Sequence, residues 1–356
     1  MLKPLAEDTG QMQGAPRTTV RKSRVRDASG PSSSLTLWAG IAFSALFTLL
    51  IWALDHRLAG IELLPDSGAT WYYWKLPFPT FWTRATSWGF YLAHQLAIWA
   101  IIYYAQTYRK HRYTKGLHKA NIWALAANAF FIFLHLLQTH IWYDGLAQDT
   151  PIFSSQGAVI VLLVWVLLME NNRRGQFFGK PVPLSKEVVR FARTYHGYFF
   201  AWAIIYTFWF HPMVSTSGHL IGFFYMFLLL LQGSLFFTRI HVNRWWTFTL
   251  ELTVLIHGTL VAVMQGNGLW PMFLFGFAGI LVVTQMHGLG LSLPVRLLIL
   301  GAFAGSALFV YGNLGWYRLN EIIRIPLIEY GSVFVLAGLF WLGLRIAKSV
   351  KRLRHA

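Results

Sequence analysis

Three histidines in separate apolar stretches are the residues best placed to do chemistry. His94, His135 and His257 lie about 12 to 14 residues from the inner ends of their stretches, or roughly 18 to 21 Å at the α-helical rise. Imidazoles at one depth on different helices can bind haem or a transition metal, or exchange protons with a substrate. We therefore predict a cofactor-binding cluster of these three residues, with hydrogen-bonded core histidines as the alternative.

A carboxylate, a guanidinium and an imidazole form a second candidate group nearer the inner surface. Glu251 is the deeply embedded acidic residue of the apolar stretches, and Arg193 is their embedded arginine, with His196 on the same stretch. Since either charge alone is costly in hydrocarbon, we expect Arg193 and Glu251 to pair. The three residues also fit a catalytic proton relay or a basic pocket for an anionic headgroup, and both interpretations stay open.

A third group borders the predicted outer surface. His140 ends one apolar stretch, and His211 and His219 flank a short connection that begins with Pro212. The short connection predicts a tight turn that brings these last two histidines together. We predict a solvent-facing metal or acid/base site at His140, His211 and His219, with ordinary interfacial histidines as the alternative.

The composition excludes several kinds of site. The 356 residues are 56% hydrophobic and only 12% charged, which is too few charges to solvate a globular surface of this size. There is no cysteine, so disulfides, thiolate metal sites and thiol catalysis are excluded. The net charge of +17 does not indicate nucleic-acid binding, because the basic residues fall in short runs between apolar stretches.

Ten apolar stretches are long enough to cross a bilayer as helices and would position these groups. They cover about 35–55, 80–106, 121–143, 154–170, 188–211, 217–239, 245–265, 269–288, 295–313 and 327–347. The sequence thus predicts an all-α polytopic membrane helix bundle over 35–347. A disordered basic cytoplasmic tail is expected at 1–34, and a basic cytoplasmic tail at 348–356.

The distribution of charge predicts the orientation of this bundle. With the N-terminus inside, 25 of the 30 Lys and Arg residues fall in inner segments, and the other five are Arg57, Lys75, Arg84, Arg318 and Arg324. Most acidic residues, including Glu329, are assigned to outer connections. Both termini are therefore expected in the cytoplasm, in a plasma (inner) membrane. Anionic headgroups on the cytoplasmic side are the expected partners.

No motif in the chain is specific enough to name an activity. The hypothesis slightly favoured is an intramembrane enzyme, redox or lipid-modifying, that uses the buried histidines on a hydrophobic or amphipathic small molecule. A proton-coupled transporter or channel with the same histidines and Glu251 along its path is the alternative. The sparse embedded carboxylates and the lack of an inverted repeat weigh mildly against transport. A membrane scaffold subunit is the third hypothesis.

Overall fold

Ten α-helices make up the computed structural model, which describes residues 30–65, 74–108 and 113–353. They are α1 (Ser33–Leu54), α2 (Phe81–Tyr108), α3 (Lys119–Ile141), α4 (Ile152–Arg174), α5 (Lys186–Phe210), α6 (Ser217–Ser234), α7 (Arg244–Met264), α8 (Trp270–Val283), α9 (Leu293–Leu314) and α10 (Glu321–Leu353). No strand is formed within the described residues. The predicted all-α fold and the number of helices are confirmed, whereas most of the predicted N-terminal tail lies outside the described residues.

Local signals set the ends of several helices. The Asn243 side chain accepts hydrogen bonds from the first backbone amides of α7, and the Thr216 hydroxyl does the same for α6. Prolines occupy the first turns of α8 and α9, where a missing N–H costs nothing. Gly175 ends α4 with φ of +75°, a conformation that favours glycine.

Eight of the ten helices are long and apolar enough to span a membrane, which is typical of a multi-pass membrane protein. These eight do not include α2 and α5, which carry more polar side chains. Surface composition agrees with a lipid environment: Leu298 and Phe309 on α9 are each 72% exposed, which would be unfavourable in water.

The helices pack as two groups. The first consists of α1, α2, α3, α5 and α6, which pack together around the buried histidines. In the second, α10 packs along α8 and against α4, and α7 packs on the other side of α8. Helix α5 joins the groups through its long contact with α4. Helix α9 packs on α8 and presents most of its surface outward.

Candidate functional site

The imidazole of His94 is fully buried, and both of its ring nitrogens are engaged. Its Nε2 lies 2.8 Å from Oδ1 of Asn128, and Nε1 of Trp209 donates to its Nδ1 at 3.2 Å. The Asn128 amide nitrogen donates to Ser234 and to the Leu230 carbonyl, so its oxygen must accept from His94. His94 is therefore the neutral tautomer protonated at Nε2. It could bind a metal only by losing one of these bonds.

His135 shares Trp209 with His94 but has a different environment. Its ring packs against the indole with centroids 4.3 Å apart, and its Nε2 donates to the His211 carbonyl at 2.9 Å. Within the described part of the chain, Nδ1 of His135 and the side-chain amides of Gln95 and Gln138 are buried without hydrogen-bond partners. Gln95 lies on α2, next in sequence to His94, and Gln138 lies on α3, three residues after His135.

The other predicted histidines divide between two places. His211 and His219 do meet, with Nδ1 and Nε2 3.4 Å apart, and the Thr216 hydroxyl lies 2.6 Å from Nδ1 of His219. His257 lies against the same helix, α6, with Nε2 3.1 Å from the position of a Cβ on Gly222. His140 instead bonds to the Leu136 carbonyl at 2.9 Å.

The histidines of the predicted cofactor and metal sites thus have different neighbours from those expected. His94 and His135 share one neighbour, while His257 is an electrostatic neighbour of His211 and His219. Among the residues that the structure describes, no group of three or more His, Cys, Asp or Glu side chains could hold a metal ion. The metal and haem hypotheses gain no support from this arrangement, so we assign neither to these histidines.

The predicted catalytic residues do not form one site. Arg193 is exposed, and its Nη2 donates to the Met169 carbonyl of the adjacent α4 at 2.8 Å. His196 bonds to the Arg193 carbonyl, and its ring faces His241 with centroids 6.2 Å apart. The expected pair of Arg193 and Glu251 is not formed, because a different arginine reaches Glu251.

That arginine is Arg174, the last residue of α4. Its Nη1 lies 2.8 Å from both carboxylate oxygens of Glu251 on α7, and the two side chains are only 3% and 11% exposed. Because one nitrogen makes both bonds, Nε and Nη2 of Arg174 are buried and have no partner among the described residues. The guanidinium therefore keeps unused hydrogen-bond donors beside the ion pair.

A second carboxyl group faces the same space. Glu329 on α10 is 2% exposed, and it lines with Arg174 and Glu251 a cavity of about 20 Å³, room for about one water molecule. Its Oε2 has no hydrogen-bond partner within the described ranges. The assignment of Glu329 to an outer connection was wrong: α10 begins at Glu321, so Glu329 lies more than two turns inside the helix.

The backbone beside this cavity is irregular. Helix α8 ends at Val283, Thr284 has φ of −123° and ψ of −58°, and a short 3₁₀ turn follows. The Thr284 hydroxyl donates to the Gln176 carbonyl, and the Tyr330 hydroxyl then donates to Thr284 at 2.7 Å. Two side chains and one backbone carbonyl, from three segments, thereby hold the end of α8 next to Gln285, which lines the cavity.

Comparison with known proteins gives no family. The chain matches no protein-family model, no curated protein and no solved structure.

The connection between α3 and α4 buries one further acidic group. Asp144 is 3% exposed because the next residue, Gly145, packs directly on the Phe210 carbonyl, leaving no room for a Cβ. Burial raises the pKa of Asp144 to about 7, while the hydrogen bond from the Gly145 amide opposes that shift.

Sequence reasoning missed Arg174 and Glu329, the two residues that complete the charged cavity. Arg174 was counted as an inner-loop cation, because apolar periodicity cannot show that a side chain at a helix end turns inward. A signal for Glu329 did exist: it is flanked by the apolar runs IPLI and VFVLAG of one span. An ionisable residue in such a run is a functional-site candidate.

Proposed function

We propose that the chain is a proton-coupled membrane transporter whose proton site is the charged cavity between α4, α7, α8 and α10. The observation that carries this proposal is the second carboxyl group, Glu329, at the cavity that holds the pair of Arg174 and Glu251. The transport alternative was slightly disfavoured from the sequence for two reasons, the lack of an inverted repeat and the sparse embedded carboxylates; only the second concerns this site. The position of Glu329 removes that objection.

Charge balance supports one exchangeable proton at this site. The cavity contains one guanidinium and two carboxyl groups, so it is electrically neutral when one carboxyl is protonated. Glu251 holds the guanidinium, which leaves Glu329 as the group that carries the proton. If Glu329 loses its proton, the unused donors of Arg174 can stabilise the new carboxylate.

The irregular backbone at the end of α8 also supports a transport site. Irregular backbone at membrane depth is tolerated where it is packed in protein or lines a cavity, and transporters use such breaks at their binding sites. Here the irregular backbone follows the last residue of α8, beside Gln285, and is held by the bond from Tyr330, the residue that follows Glu329. A change of protonation at Glu329 is thus coupled through one peptide unit to the contact that holds α8 against α10.

We further propose that all ten helices cross the membrane, with both termini in the cytoplasm. Helices α2 and α5 have 28 and 25 residues, enough to cross about 30 Å of hydrocarbon, and both pack between other spans. The excess of Lys and Arg on the proposed inner side supports this orientation. A hydrophobic or amphipathic small molecule is the proposed cargo; the cavity, with room for about one water molecule, is proposed to hold the proton and not the cargo.

The intramembrane enzyme has weaker support. Its histidines are held in hydrogen bonds, as at His94 and at His135, whose Nε2 donates to the His211 carbonyl. In a scaffold subunit the buried charges would serve stability alone. A transport measurement in proteoliposomes distinguishes that role from transport.

Transport can be tested in proteoliposomes that contain a pH-sensitive dye. We expect external amphipathic ions to change the internal pH with the wild-type protein but not with Glu329→Gln. The exposed carboxylate Glu187 provides the matched control, and Glu187→Gln should behave as the wild type. Equal signals from wild type and Glu329→Gln, including no signal from either, would contradict the transport proposal.

A further inference from the structure

A second, open pocket lies between the start of α5 and the last part of α10. This α5–α10 groove has a volume of about 540 Å³ and is lined by Pro183, Leu184, Ser185, Val188, Phe334, Ala337, Gly338 and Trp341. The α10 residues follow a spacing of three and four, so they form one stripe along that helix. The groove is mostly apolar and is separate from the charged cavity.

The chemistry of this stripe changes along α10. Beyond Trp341, the positions that continue it are Arg345 and Lys348, and the Arg345 guanidinium lies 5.1 Å from the centre of the Trp341 ring. Lys348 is 2.5 Å from Glu187 of α5, and Arg345 and Arg190 are also electrostatic neighbours of that carboxylate, so the groove rim is net positive. An apolar channel that ends at an interfacial tryptophan and a cation complements the acyl chain and phosphate of a lipid.

We propose that the α5–α10 groove binds one anionic phospholipid. An acyl chain lies along Phe334 and Gly338, and the phosphate is held at the rim by Arg345. The position of Gly338 makes this arrangement sterically testable, since a Cβ added there meets no other atom of the described protein. The site is independent of the proposed transport function.

The groove can be filled without disturbing the fold. Gly338→Leu places a side chain where the acyl chain would lie, starting from a Cβ position that is free of contacts. Gly343→Leu is its matched control: Gly343 is also in α10 and also faces open space, but it does not line the groove. Both changes replace a helical glycine and should not destabilise α10.

The proposed contact with the lipid headgroup is tested by removing a positive charge from the rim. Arg345→Gln removes the rim cation, whereas Lys119→Gln removes an exposed cation at the start of α3, away from the groove. One basic residue near a membrane surface contributes about fivefold to the binding of an anionic lipid. Arg345→Gln should therefore lose about that factor, and Lys119→Gln should lose none.

The measurement is native mass spectrometry of the full chain, titrated with phosphatidylglycerol or with phosphatidylcholine. We expect tighter binding of phosphatidylglycerol, loss of that binding of about tenfold or more in Gly338→Leu, and unchanged binding in both controls. Equal affinities for the two lipids, or unchanged phosphatidylglycerol binding in Gly338→Leu, would overturn the proposal. A dimer that only Gly338→Leu dissociates would overturn it too, because a second copy would then be the occupant.

Discussion

The guanidinium of Arg174 reaches from the end of α4 to the carboxylate of Glu251 on α7, with Nη1 2.8 Å from both oxygens. This pair links α4, which packs on α5, to α7, which packs on α8. Both side chains are nearly buried, so removing one partner leaves the other charge uncompensated.

Loss of Arg174 should destabilise the protein strongly. Arg174→Gln leaves Glu251 without its partner, and we expect a cost of about 3–5 kcal/mol in unfolding free energy. The adjacent Arg173 is the control, because its pair with Glu170 is half exposed, and Arg173→Gln should cost under about 1 kcal/mol. Denaturant titration in detergent micelles measures both. Similar stabilities for the two variants would show that the buried pair is not formed.

His94 should behave as a structural residue. His94→Leu leaves Oδ1 of Asn128 and Nε1 of Trp209 without their present partner, which should cost about 2–4 kcal/mol. Adding Trp209→Phe removes one of the unsatisfied groups, so the double variant should lose less than the sum of the single changes. Strict additivity of the two changes in the same denaturant titration would argue against the hydrogen bond between them.

Much of this architecture is predictable from the sequence, because lipid requires long apolar helices. The predicted stretch at 121–143 corresponds to α3, Lys119–Ile141, and the stretch at 245–265 to α7, Arg244–Met264. The pairing of His211 with His219 also followed from the short connection around Pro212.

Side-chain partners were less predictable than helices. Depth estimates placed Arg193 and Glu251 at similar levels, but depth does not give the rotation of a helix, and Arg193 turns to the Met169 carbonyl. Glu329 was misplaced because hydropathy gave α10 a start near 327, whereas the helix runs from Glu321 and contains Pro326. Both errors concern how neighbouring helices pack against one another. The apolar pattern of a single stretch does not determine that packing.

Stability should depend on pH through Asp144. In the unfolded chain this carboxyl group releases its proton near the ordinary aspartate value of 3.8, whereas burial raises its pKa in the folded chain to about 7. Asp144 therefore destabilises the wild type progressively as pH rises from about 4 to about 7. Asp144→Asn should raise the melting temperature more at about pH 8 than at about pH 5.

The control for this prediction is Glu62→Gln. It changes an exposed carboxylate in a different connection, the one that follows α1. A constant difference between Asp144→Asn and wild type across that pH range would mean that Asp144 is ionised in the folded protein.

The proposed orientation can be mapped with single cysteines, since the chain contains none. Gly60 follows α1 and faces open space, and Lys115 is exposed before α3. In intact cells, an impermeant maleimide should label Gly60→Cys directly and Lys115→Cys only after permeabilisation. The reverse pattern would mean that the proposed orientation is inverted. Labelling of both sites from one side would mean that α2, the helix between them, does not cross the membrane.

The most direct test of the proton site is infrared difference spectroscopy of the purified protein across a pH change. With Asp144→Asn present in every sample to remove the other buried acid, a protonated Glu329 predicts a carboxylic acid C=O band that is present without further change and with Glu187→Gln, and absent with Glu329→Gln. If that band is missing from the Asp144→Asn protein, or survives unchanged when Glu329→Gln is added, Glu329 does not carry the proton and the transport account is contradicted.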